Sequence, residues 1–244
     1  MKGIITAIIF GTAFHISNAQ STLVKTDTIK LLVVTGGPTH RHQIDLVPTS
    51  FYRLFEGYDN LVWDHATQDE AAFQSDKLLS YDVVLMYNRS DTLSQNSKLN
   101  LQSFLEADKG FIVLHHALGS YNDWEWWWRK VVGAKYQMTD IDNLPKSNYK
   151  QGEIIDLAPQ KSHFITDQVG KFTLLDETYK NLWISKNIQI LYRTSNPSGD
   201  GPVVWISPLK TSKVVVIQPG HAHAAHSDEN YRNLIFQSIL WASQ

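Results

Sequence analysis

Four stretches of this sequence are nearly unbroken apolar runs: residues 29–35, 82–87, 110–114 and 213–217. Strands that face solvent on one side alternate polar and apolar residues, whereas these runs suit strands buried on both faces, as in a parallel sheet. Between the first three lie segments with helical spacing. Residues 44–55 carry Ile44, Val47, Phe51, Leu54 and Phe55, and a shorter helical stretch covers 73–79 after a short strand at 61–63. Residues 94–107 read as a helix with Ser94 as N-cap and with Leu99, Leu101, Phe104 and Leu105 as its apolar positions. Residues 121–132 read as a Trp-rich helix, and 229–241 as a closing one. The alternation of strand and helix predicts a doubly wound, mostly parallel α/β sheet. Over residues 133–200 the pattern changes to short strands at 152–156, 171–175 and 188–193, read as an antiparallel insertion or sheet extension. Residues 202–206 and 213–217 read as a hairpin.

The first twenty residues carry a different signal. Lys2, an apolar run over 3–14 and small residues at Ser17 and Ala19 match a secretory signal peptide cut after Ala19. The run is shorter than the roughly 20 apolar residues of a membrane span. The expected organisation is a signal peptide at 1–19, a polar tail at 20–28 and one α/β domain at 29–244, exported to the periplasm or secreted. Composition narrows the chemistry. With 22 Lys+Arg against 24 Asp+Glu there is no basic footprint for nucleic acid, and 43% hydrophobic content argues against disorder. The chain has no cysteine, which excludes disulfides, Cys-ligated metals and thiol nucleophiles. Ten histidines and eight tryptophans remain as the chemically conspicuous residues.

Seven of those histidines follow strand ends: His40 and His42 after the first run, His115 and His116 after the third, and His221, His223 and His226 after the last. Ligands in such sheets bind outside the carboxyl ends of the strands, so these loops are expected to share one rim. Of the adjacent pair His115 and His116, one should face the site and one the protein. His221 and His223 would share a face if the chain stays extended, a spacing that suits two metal ligands or a base beside a substrate donor. Asp176, Glu177 and Tyr179 place two carboxylates and a phenol together in the inserted segment. Trp124 is a candidate platform for the C–H face of a sugar, and Trp126 the candidate core-facing ring.

The ordered motifs resemble the ThuA, or trehalose-utilisation-like, family. They are Leu32–Gly37 with His40, Gly110–Ala117, Asp123–Trp124 through Gly133–Ala134, Ser162–Thr166, Asp176–Tyr179, Pro202–Trp205, Val216–His221 and Ile239–Ala242. The resemblance implies the flavodoxin-like, class I glutamine amidotransferase-like fold. It also implies a role in carbohydrate metabolism, on disaccharides or 3-keto-glycosides. The cysteine of amidotransferases is replaced by His115 or His116, so glutaminase chemistry is not available, and His221 falls where their histidine would be. Phe164 stands where the family has proline, and Lys135–Asp140 lacks the family's second histidine. On this reading His115 and His221 are acid/base groups and Glu177 their carboxylate partner, as in an isomerase, lyase or hydrolase of keto-sugars. Gly36, Gly37, His40, Trp124, Asp176, Tyr179 and His223 would hold a small sugar substrate. No cofactor is expected. The alternatives are a non-catalytic sugar-binding protein and a metal-dependent hydrolase using the histidines.

Overall fold

The computed structural model describes residues 28–36, 54–141, 143–221 and 223–244. The expected signal peptide, the expected polar tail up to residue 27, Gly37, His40, His42 and all of the expected 44–55 helix except Leu54 and Phe55 lie outside the described residues. No helix among those described is long and apolar enough to cross a membrane.

The apolar runs form β1 (Ile29–Gly36), β3 (Val83–Asn88), β4 (Gly110–Leu114) and β11 (Val214–Ile217), joined by β2 (Leu61–Ala66) at one edge. These five strands are mutually parallel. Their side chains alternate between two cores. Leu31, Val33, Leu85, Ile112 and Val215 face one, and Leu32, Val34, Met86, Val113 and Val216 face the other. Because both faces are covered, the strands read as continuous apolar runs rather than as alternation.

One face packs against α5 (Glu229–Ala242), whose N-cap Asp228 accepts from Tyr231 N. The other packs against α1 (Asp69–Gln74) and α2 (Gln95–Glu106). Ser94 caps α2 by accepting from Ser97 N, as its sequence position predicts. Leu99 points outward at 51% exposure, while Leu101, Phe104 and Leu105 are buried.

The 133–200 segment extends this sheet. The order is β2-β1-β3-β4-β11-β10-β9-β6-β7, with β6 (Asn148–Pro159), β7 (Phe172–Lys180), β9 (Gln189–Arg193) and β10 (Pro202–Ile206) each antiparallel to its neighbours. The pair β6–β7 is longer than the sequence suggests, because polar Asn148–Lys150 pairs with Thr178–Lys180. Two short strands, β5 (Ala134–Lys135) and β8 (Trp183–Ile184), form a separate ribbon. A short α3 (Phe164–Val169) packs on α5.

The Trp-rich segment departs from a regular α-helix. Residues Trp127–Val132 are π-helical and end at Gly133. The core-facing ring is Trp127, fully buried against Phe111 and Tyr121, rather than Trp126. Trp126 is half-buried and lies beside Trp124, 5.1 Å between centroids. Trp127 lies at i+3 from Trp124, so a ring three positions on, not two, continues the inward face.

Candidate active site

His115 follows the last residue of β4 with φ at +51°, a left-handed conformation uncommon outside glycine and costing about 1–3 kcal/mol. Its ring is fully buried, and its Nδ1 lies 2.8 Å from the carbonyl oxygen of Gln218. A carbonyl only accepts, so Nδ1 carries the proton and Nε2 presents its lone pair. That Nε2 stands 3.7 Å from Glu177 Oε1. Tyr179 stacks on the imidazole at 5.3 Å, with its hydroxyl 3.3 Å from Nε2. The neighbouring His116 packs edge-on against Tyr87, 4.2 Å between centroids, and edge-on to His115 at 5.5 Å.

His221 follows β11. Its Nδ1 lies 3.4 Å from Glu177 Oε2, and its ring centroid is 5.4 Å from that of His115. Its main chain is held on two sides. Asp176 accepts from the backbone N–H of Gly220 and from that of His221 at 3.0 Å. On the far side the Gly220 carbonyl accepts from Tyr87 Oη at 2.9 Å and from His226 Nε2 at 3.0 Å. Burial pushes the His226 imidazole down to about 4, so it stays neutral and serves this bond as a donor. Gly220 has φ at +132°, and a Cβ there would clash with Tyr231 Oη and stand 3.3 Å from His115 Cβ. Only glycine lets the chain pass so close.

The carboxylate arrives from another direction. In the sheet order β7 lies four places beyond β11, about 19 Å at ordinary strand spacing. Yet Asp176 reaches Gly220, and Gln218 Nε2 donates to the Glu177 carbonyl at 3.0 Å. The β6–β7 arm therefore folds back over the carboxyl edge of the parallel strands. The bend coincides with a β-bulge, where Gln151 and Gly152 together oppose Glu177 and Gly152 has φ at +71°.

The bulge brings in Gln151, which the sequence reading missed. Its Nε2 donates to Glu177 Oε2 at 3.1 Å and lies 3.0 Å from His221 Nε2. The amide N–H can only donate, so His221 accepts at Nε2 and its proton sits on Nδ1, facing Glu177. A glycine interrupting a strand pattern is the one signal that points to this bulge.

Burial raises the Glu177 carboxyl to about 7; the Gln151 hydrogen bond opposes the rise and the Asp176 charge adds to it. Burial lowers the His221 imidazole. Near neutral pH Glu177 is about half protonated and His221 is mainly neutral, so their proximity is that of a proton-sharing pair more than of an ion pair. The sign for stability follows from linkage. Between about 4.5 and about 7 the folded chain binds more protons at Glu177 than the unfolded one, so this residue's contribution to stability falls as pH rises through that window. Glu177→Gln is expected to flatten that fall. Urea midpoints of both proteins at about pH 5 and about pH 8 measure it, and an unchanged difference between the two pH values would sink the claim.

The structure thus brings together His115, Glu177 and His221, with Asp176 and Tyr179 against them. Asp176 is occupied by backbone N–H groups, so it acts on the position of His221. His223 does not accompany His221 on an extended face. It begins the short α4 (His223–Ser227), is exposed, and hydrogen-bonds Ser227 Oγ at 3.0 Å. Trp124 packs with Tyr121, Trp126 and Trp127 under Lys98, and none of the three central groups is among its ring contacts. Gly36 ends β1 against Asn88 and Thr67. Donor atoms of His115, Glu177 and His221 lie within 4.8 Å of one another, a two-imidazole, one-carboxylate set of the kind that holds a divalent cation.

The sequence matches the family described as ThuA, trehalose utilisation, over residues 30–242. The chain belongs to the ThuA family. Solved ThuA-like proteins share its architecture. That of Parabacteroides merdae is 16% identical, with a TM-score of 0.76 over 89% of this chain and 91% of the other. That of Bacteroides uniformis is 19% identical, with a TM-score of 0.69 over 88% and 91%. A β-galactosidase of Rahnella aligns at 10% identity and a TM-score of 0.61, over 88% of this ThuA chain but 31% of its own length. No curated protein matches the sequence.

Proposed function

We propose that this ThuA-family protein acts on disaccharides or 3-keto-glycosides by acid/base chemistry. The observation that carries the reading is Glu177, a buried carboxyl raised to about 7 between two imidazoles. A general acid/base works best with a pKa near the operating pH. A 3-keto group acidifies the neighbouring C–H. His115 Nε2 is suited to take that proton, while protonated Glu177 and the His221 Nδ1–H are suited to donate to the developing oxyanion. Gln151 and Tyr179 would orient these groups. The ThuA match supports the sugar class, and the reaction would be an isomerisation or an elimination. The test is turnover of a 3-keto-glycoside followed against pH. Activity centred near pH 7 and lost in Glu177→Gln is the expected result. Binding of the sugar with no turnover would favour a non-catalytic role.

A second reading rests on the convergence of the same three donors, which suits a divalent cation. His115 fits it further, because metal-ligating histidines usually donate their other ring N–H to a carbonyl or carboxylate. Elemental analysis of purified protein, with turnover before and after chelation, separates the two. Stoichiometric metal and chelator-sensitive activity would replace the acid/base reading. Export is part of the proposal. Mass spectrometry of the mature protein should find Gln20 first, and an intact Met1 on exported material would contradict it.

A further inference from the structure

A cavity lies at the edge of the sheet away from His115. Strand β10 runs against β11, so the turn after Ile206, which carries Pro208 and Lys210, is at the amino edge of the parallel strands. The residues just before β9 reach the same edge, since Gln189 pairs with Ile206. The π-helical segment ends there too, with Ser207 Oγ donating to the Lys130 carbonyl at 2.9 Å. These segments, with β8, border an open hollow of about 670 Å³, within the usual size of a small-ligand site. Trp183 and Pro208 give it apolar walls. Arg129, Lys130, Lys186 and Lys210 line it, and no acidic side chain among the described residues does. The chain as a whole carries a net charge of −2, so this is a local field of the opposite sign.

Arg129 is the organised member of the group. Its guanidinium carbon lies 4.6 Å from the centroid of Trp128 and 5.1 Å from that of Trp183, and its Nε donates to Glu125 at 2.7 Å. Two indoles and a carboxylate hold the fork in place, leaving its other nitrogens to a ligand at small entropic cost. Lys130, Lys186 and Lys210 take part in none of the ion pairs among the described residues.

We infer that this cavity binds a sugar ring bearing a carboxylate. The Trp183 indole and Pro208 suit the C–H face of such a ring, and the guanidinium and ammonium groups suit its carboxylate. The inference concerns binding alone and stands apart from the histidine–carboxylate site.

Calorimetric titration of the full chain with glucuronate, glucose and sodium sulfate tests it. Glucuronate should bind about tenfold or more tightly than glucose or sulfate, and added salt should weaken it. The Lys130→Gln, Lys210→Gln double variant should lose about tenfold in affinity with an unchanged melting temperature, because both lysines are exposed. His221→Ala should bind glucuronate as the parent does. Absence of glucuronate binding, equal affinity for glucose or sulfate, or full affinity in the double variant would each overturn the inference. Loss of binding in His221→Ala would put the ligand in the other site and overturn it as well, whatever the outcome of the turnover assay.

Discussion

Turnover of a 3-keto-glycoside by His221→Ala is expected to fall by about 10²–10⁴-fold, the usual contribution of a general acid/base, with the melting temperature nearly unchanged. The two halves of this expectation come from different atoms of one residue. The side chain is mostly buried, at 18% exposure, but it faces the polar groups Glu177 and Gln151 rather than an apolar core. The main chain is what the fold uses, through Asp176 on the His221 N–H and through Tyr87 and His226 on the preceding carbonyl. Alanine keeps every one of those backbone bonds. Full turnover by the variant would remove His221 from the chemistry. A large fall in melting temperature would make it a structural histidine instead.

Trp127→Ala should have the largest effect on stability. The ring is fully buried, 5.2 Å from Tyr121, 5.8 Å from Phe111 and 6.3 Å from Trp124. Truncating a buried Trp costs about 3–5 kcal/mol, because the cavity left behind collapses only in part. At about 2–4 °C per kcal/mol for a domain of this size, the melting temperature should drop by about 6–20 °C. Trp126→Ala, at a half-buried ring, should cost clearly less. Thermal melts of the two variants settle the order, and a reversed order would contradict the assignment of the inward ring.

The parallel half of the sheet was legible because burial on both faces leaves a direct mark. Val83, Val84 and Leu85 are all buried, so nothing polar interrupts the run. The strand ends were legible for the same reason, and His115 and His221 were found by following them. The antiparallel half was harder. Asn148, Tyr149 and Lys150 are exposed and polar or amphipathic, and they pair as strand only because β7 lies beside them. Gln151 escaped notice because its role comes from a bulge, which depends on the register of two strands and not on its own side chain. His223 and Trp126 were misplaced by assuming that spacing persists. A helix begins at His223, and the Trp segment widens from Trp127 into a π-helix.

The path of the β6–β7 arm has a dynamic consequence. The two imidazoles stand just beyond the carboxyl ends of the central parallel strands β4 and β11, among the most deeply packed elements. Glu177 and Gln151 ride on a strand pair at the sheet's outer edge, where β7 has a strand partner on one side only among the described residues. Local opening free energies in a protein range from near zero at its margins to the global value in its core. The arm should therefore lift before the sheet melts, and catalytic competence should be lost at lower urea than global structure. Amide hydrogen exchange would show it as protection in β7 that is weaker than in β4 and β11. The carboxyl would then be a group the protein can withdraw while its histidines stay in place.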